Sequence, residues 1–165
     1  MFNLNLENKD SLKIVSSDWD FETDGDSEKL TYEMIDLMLS SNGIGLAANQ
    51  VNLQKRVFVM GHKSHSDFPK PFSIFNPEII SSSDEQVLNI EGCLSFPGLY
   101  LNLKRPTWII AKYYDDKGTE KEIKLSGYAA TCFQHEYDHL NGVCFVDKVS
   151  QMKLNLAMKK LRKQK

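Results

Sequence analysis

The sequence predicts an α+β fold. Three observations carry that prediction. Three segments place apolar residues at helical spacing, four short runs are dense in β-branched and aromatic residues, and a tight-turn tetrapeptide separates the last two runs. Strands joined by so short a turn pair antiparallel.

The first helix is expected over "DSEKLTYEMIDLMLSSNG". It opens on the capping candidates Asp26 and Ser27, repeats apolar residues at Leu30, Met34, Leu37 and Met38, and stops at Asn42-Gly43. The runs "RVFVM", "FSIFNPEII", "TWIIAKYYD" and "EIKL" read as strands, with Asp115 to Gly118 ("DDKG") as the hairpin turn between the last two. From Gly127 to Leu140 apolar and small residues fit a second helix, closed by Asn141-Gly142. A third helix is expected from Ser150 to Leu161.

With 165 residues and 41% hydrophobic content, the chain suits one domain with one core, and no repeat, low-complexity segment or linker argues for a second. A formal net charge of -2 gives no global basic field for DNA or an anionic membrane. The opening "MFNLNLENKDSLKIV" lacks a basic stretch followed by an apolar one, and no window approaches the roughly 20 apolar residues of a membrane span. Cys93, Cys132 and Cys144 form no CxxC pair, which favours reduced thiols and a cytoplasmic setting. Arginine occurs only as Arg56, Arg105 and Arg162, which reads as coding bias.

The second helix carries "QHEYDHLNG", with His135 and His139 four residues apart and Glu136 between them. Residues four apart share one helix face about 6 Å apart along the axis, so two imidazoles can converge on one ion while the intervening carboxylate reaches its water. Alone, the motif equally suits a surface helix with two unrelated histidines, and a third ligand decides the matter. The metzincin pattern calls for a ligand where Phe145 stands, and no Glu follows Glu136 to serve the other common protease pattern. Cysteine remains. Cys132 is seven residues from His139, roughly 10 Å along the helix, and reads as a core residue. Cys144, in the apolar "VCFV", is more simply read as buried, though it stays a weaker candidate. Cys93, in "NIEGCLSFPG" between Gly92 and a Pro97-Gly98 turn, is the best third ligand.

Together "GIGLAANQ" (Gly43 to Gln50), "EGCLS" (Glu91 to Ser95) and "QHEYDHLNG" (Gln134 to Gly142) resemble, in order and separation, the three motifs of peptide deformylases, over about residues 28 to 148. The resemblance implies antiparallel sheets around a central HExxH helix, and Cys93, His135 and His139 holding one catalytic divalent cation. In this family the ion is usually Fe2+, with Zn2+, Ni2+ or Co2+ as substitutes. It further implies hydrolytic removal of the formyl group from the N-terminal methionine of nascent peptides. Three protein ligands with an open fourth position suit a catalytic centre, and a bound cation lowers the pKa of its water toward ~7. Glu136 then serves as general base and acid. The resemblance assigns the oxyanion donors to the Gln50 amide and the Leu94 backbone N–H. Gly43 and Gly45 allow close approach of an extended peptide.

Tyr128, Thr131 and Cys132 match positions lining the methionine pocket in relatives, although Thr131 is more polar than the usual aliphatic residue. Asn49 stands where Pro or Thr is common, Tyr100 where bacterial relatives often have Arg, and the first 25 residues lack the family's usual opening. His62 and His65, in "GHKSHSD", read as solvated loop residues, and Glu91 as a partner that orients a ligand histidine. The segment 148–165 holds Lys148, Lys153, Lys159, Lys160, Arg162, Lys163 and Lys165 without an acid. It reads as a solvated basic helix end, or as a contact with ribosomal RNA. Two other classes compete with the deformylase reading: a metal-dependent peptidase, and a non-catalytic metal-stabilised module that binds nascent chains.

Overall fold

A computed structural model of the protein describes residues 2–163, so Lys165 of the basic tail lies outside the described residues. Helix α1 spans Ser27–Ser40, followed by strands β1 (Gly45–Ala47), β2 (Val57–Met60), β3 (Phe72–Ser82), β4 (Gln86–Cys93), β5 (Phe96–Pro106), β6 (Trp108–Tyr114) and β7 (Glu120–Ser126). Helices α2 (Gly127–Leu140) and α3 (Gln151–Arg162) complete the chain. Five strands form one antiparallel sheet in the order β1-β2-β3-β6-β7, and β4 with β5 forms a separate two-stranded sheet. This is the expected α+β class.

Local chemistry sets the boundaries. The Asp26 carboxylate accepts from the Lys29 backbone N–H at 2.9 Å and starts α1. At its other end Asn42 takes a left-handed φ of 57°, and the Gly43 N–H returns to the Met38 carbonyl at 2.8 Å. The "DDKG" turn closes where the Asp115 carbonyl accepts from the Gly118 N–H at 3.0 Å, pairing β6 with β7. "FSIFNPEII" is a strand with an interruption. Asn76, at φ 48°, turns its side chain to the Trp19 backbone, and Pro77 has no N–H to give, so the register shifts between Phe75 and Glu78.

The large sheet lies between two helices. Val57, Val59 and Phe75 pack with Leu30, Met34 and Met38 of α1. Phe58, Met60, Ile74 and Ile109 pack with Ala130, Phe133 and Leu140 of α2. Adjacent β2 residues point to opposite faces, so burial on both faces requires the unbroken apolar run "VFVM". Phe58 and Phe133 meet edge-to-face at 5.0 Å, which fixes the depth of α2. A third cluster joins Leu99, Leu101 and Leu103 of β5 to Leu154, Ala157, Met158 and Leu161 of α3.

The β4–β5 hairpin was not among the expected strands. Its register pairs Glu91 with Leu101 and Cys93 with Phe96, so Cys93 ends the strand beside α2. No helix among the described residues is long and apolar enough to cross a membrane.

Candidate metal centre

Helix α2 carries His135 and His139 one turn apart with their side chains buried, and the end of β4 delivers Cys93 from the other side. One donor atom from each of the three lies within 4.8 Å of the others. Cys93 Sγ and His139 Nε2 are 3.3 Å apart. His135 Nδ1 is engaged by Glu91 Oε2 at 2.9 Å, which leaves Nε2 to face the other two donors. Two imidazoles and a thiol, without a carboxylate, suit a late first-row divalent ion rather than Mg2+ or Ca2+. Cys132 packs in the core with its Sγ toward the Ile44 carbonyl at 3.5 Å, and Cys144 is fully buried.

Glu91 is itself held. Arg105 donates to both its oxygens, at 2.6 and 2.8 Å, and to Asp138 on α2 at 2.7 Å. Arg105 is only 2% exposed, so this arginine is a fixed part of the site's support, a role that the scarcity of arginine in the sequence did not signal. Burial pushes the Glu91 carboxyl up, but hydrogen bonds from Arg105 and His135 and the Arg105 charge outweigh it and hold the group at about 2. Burial likewise pushes His135 down, while Cys93 and Glu91 beside it more than reverse that and lift it to about 10. A cation held by Cys93, His135 and His139 would compete with that proton, which would couple its binding to pH. His139 lies well below the usual histidine range because of burial and the neighbouring His135 charge.

Glu136 points into the same space. Its Oε2 is buried without a hydrogen-bond partner, and burial raises its carboxyl to about 7. Gly45 accounts for that placement, since a Cβ there would overlap the Glu136 carboxylate. In the short 3-10 turn Ala48–Val51, Gln50 Oε1 accepts from the Ala47 N–H at 2.8 Å. That fixes its amide, whose Nε2 donates to Ser95 Oγ at 3.0 Å and approaches Cys93 Sγ at 3.5 Å. Leu94 follows Cys93 in the β4–β5 turn, with its side chain against Gly43. Asn49 is fully buried and donates to the His139 carbonyl at 2.6 Å, tying the glycine motif to the end of α2.

A cleft of about 440 Å³ opens over these groups, reaching Glu136 and His135 at its floor and Gly43 and Gly45 along one side. Tyr128, Thr131 and Cys132 line it along α2, and the exposed Tyr100 of β5 lines it as well. The Thr131 hydroxyl accepts from Asn89 at 2.8 Å and donates to the Gly127 carbonyl at 3.3 Å, so it presents no free donor to the cleft. Besides Arg105 and Asn49, the site includes Ser95 and His65 in roles the sequence did not signal. Ser95, within "EGCLS", is a buried partner of Gln50, a role with no short-range signal in the sequence. His65 does not stand free in solvent; it lines the cleft and stacks on Tyr128 with ring centroids 5.1 Å apart.

A Cys–His–His donor cluster beside a buried, unpartnered carboxylate in an open cleft defines a candidate mononuclear metal hydrolase. The family model described as polypeptide deformylase matches residues 2–155. A peptide deformylase of Prochlorococcus marinus is 52% identical over 122 residues, covering 74% of this chain and 60% of that relative. One from Rhizobium meliloti is 38% identical, covering 85% and 80% of the two chains. The crystal structure of peptide deformylase from Ehrlichia chaffeensis superposes with a TM-score of 0.87 at 34% identity, covering 99% of this chain and 96% of that one. The chain belongs to the polypeptide deformylase family. It spans about 60% of the length of two curated Prochlorococcus relatives. The match from residue 2 includes the opening segment that lacks the expected pattern, where Leu12 and Trp19 are buried and the Asn5 N–H donates to the Gln50 carbonyl at 2.8 Å.

Proposed function

We propose that the protein hydrolyses the formyl amide of formyl-methionyl nascent peptides, releasing formate and a free amino terminus. The observation that carries this reading is the unpartnered Glu136 Oε2 set beside the Cys93–His135–His139 cluster and the Gln50 amide. The three donors fit a divalent ion, which we take to be Fe2+, with Zn2+, Ni2+ or Co2+ able to replace it. When bound, it supplies Lewis-acid polarisation of the formyl carbonyl and acidification of water.

The chain's own residues do the rest. Gly43 and Gly45 line the cleft beside the path of an extended peptide backbone, and Tyr128, Thr131 and Cys132 receive the methionine side chain. Glu136, raised to about 7, accepts the proton of the attacking water and returns it to the amine nitrogen as the C–N bond breaks. Gln50 Nε2 donates to Ser95 Oγ and, at 3.5 Å, to Cys93 Sγ, and it turns this second, longer bond toward the carbonyl oxygen as that atom gathers negative charge. The Leu94 N–H is the second donor. Glu91, clamped by Arg105, holds the His135 ring.

Residues 1–165 are read as one catalytic domain working in the cytoplasm, where formylated chains emerge. Helix α3 packs its apolar side on β5 and leaves Lys153, Lys159, Lys160, Arg162 and Lys163 exposed, a surface suited to ribosomal RNA.

The test is formate release from a formyl-Met tripeptide, compared with an acetyl-Met tripeptide and an internal-bond protease substrate. Release from the first alone is expected. Cleavage of the internal bond means a peptidase, and no reaction with a metal-loaded protein means a binding module.

A further inference from the structure

Three rings form a continuous stack at the outer end of the cleft. Phe68, 4% exposed, packs in the cluster that also holds Ala129 and Phe133 of α2. The His65 ring lies on Phe68 with centroids 5.2 Å apart and planes 18° apart. It also lies parallel to the Tyr128 ring, at 5.1 Å and 10°. Backbone hydrogen bonds from Phe68 N–H to the His65 carbonyl (3.3 Å) and from His62 N–H to the Phe68 carbonyl (3.0 Å) hold the loop in that shape. The loop therefore rests on a core residue at one end and on α2 at the other.

The position of the stack relative to the reacting groups gives it a use. Tyr128, Thr131 with Cys132, and His135 follow each other at helical spacing on the cleft side of α2. Tyr128 is seven residues before His135, roughly 10 Å along the axis. A side chain lying along α2 from the donor cluster thus runs over Thr131 and Cys132 and ends against Tyr128. The Tyr128 ring is 37% exposed, and His65 covers one of its faces. His65 lines the cleft, and its ring edge faces that space beside Tyr128.

We infer that His65 is a specificity-determining residue, which fixes Tyr128 as the end wall of the side-chain pocket and thereby limits the length of the first residue's side chain. This rests on the proposed deformylase reading. A polarisable thioether meeting the edge of an aromatic pair makes a favourable contact, and an added methylene has to displace the stack. His65 acts through Tyr128 and at the ring edge; it takes no part in proton transfer.

The experiment compares kcat/KM for formyl-Met and formyl-ethionine tripeptides, which differ by one methylene, in wild type, His65→Ala and His65→Phe, with thermal midpoints measured in parallel. Wild type is expected to prefer formyl-Met. His65→Ala is expected to narrow that preference at least about fivefold, mainly through KM for the ethionine peptide, because one methylene in an apolar pocket is worth roughly tenfold or more. His65→Phe, which keeps the stack, is expected to restore the wild-type ratio. A loop that merely stabilises the fold lowers the midpoint and both activities together, leaving the ratio unchanged, and that result overturns the inference. In wild type, the His65 Hε1 resonance, identified by its loss in the variants, is expected to shift when a methionyl tripeptide is added; an unmoved signal also overturns it. If wild type releases no formate from formyl-Met peptide, the deformylase reading fails and takes this inference with it. If it releases formate and the ratio is the same in His65→Ala, only the inference fails.

Discussion

Replacing Arg105 with Met tests the buried support of the site. In the native protein Arg105 donates to both oxygens of Glu91, and both side chains are almost fully buried. The substitution leaves Glu91 charged and unpaired in the interior, and breaking a buried pair this way costs about 3–5 kcal/mol. The carboxyl itself gives an independent figure. Its fall from 4.5 to about 2, against the upward push of burial and set by Arg105 first and His135 second, is at about 1.4 kcal/mol per pH unit a contribution of about 3–4 kcal/mol, shared between those two partners. Because the folded pKa is depressed, that contribution is complete above about pH 4.5 and is lost as pH falls toward 2. Urea unfolding should therefore show Arg105→Met about 3 kcal/mol less stable than wild type at pH 7, with the gap roughly halved at pH 3. A difference under about 0.5 kcal/mol at pH 7, or a gap that does not narrow in acid, would refute the reasoning.

Three further outcomes are expected. Cys93→Ala should lose bound metal and activity, whereas Cys132→Ala and Cys144→Ala should keep the metal and lose about 1–2 kcal/mol through small core cavities; metal content and urea midpoints separate the two cases, and metal retention by Cys93→Ala contradicts the assigned donor set. Protein prepared without oxygen should turn over faster than its zinc form and decay in air, although zinc binds such N/S donors more tightly; an air-stable zinc form of equal turnover overturns the choice of iron. Truncation after Asp147 removes the helix on β5, so the RNA contact is better tested by reversing charge at Lys159, Lys160 and Lys163, all exposed. Ribosome co-sedimentation should weaken and lose its salt dependence while turnover of a short peptide is unchanged; undiminished binding leaves only a solvated helix.

Much of this molecule was legible locally. The helix ends at Asp26, Asn42 and Asn141-Gly142 are written in capping chemistry, and the unbroken "VFVM" of β2 reflects burial on both faces. The β4–β5 hairpin was harder to read: Leu99, Leu101 and Leu103 alternate strictly, but β4 exposes half of its residues and carries none of the buried apolar positions that mark a strand. The donor cluster was readable because HExxH spacing is helical geometry, and because Cys93 alone among the cysteines sits in a segment able to present it. Arg105, Ser95 and Asn49 were not readable as site residues. Each acts through a partner more than 30 residues away or on another element, as in Arg105 to Asp138, Gln50 to Ser95 and Asn49 to His139, and no short pattern encodes such pairings. His65 failed for the same reason: a polar loop histidine looks solvated until the fold sets it on Tyr128.

The central claim is that Glu136 moves the proton while other residues hold the ion. Metal content and formate release from a formyl-Met tripeptide, measured on the same preparations of wild type and Glu136→Gln, test it directly. Near-stoichiometric metal is expected in both, with at least a ~100-fold loss of turnover in the variant. A metal-loaded Glu136→Gln protein that releases formate at the wild-type rate would contradict it.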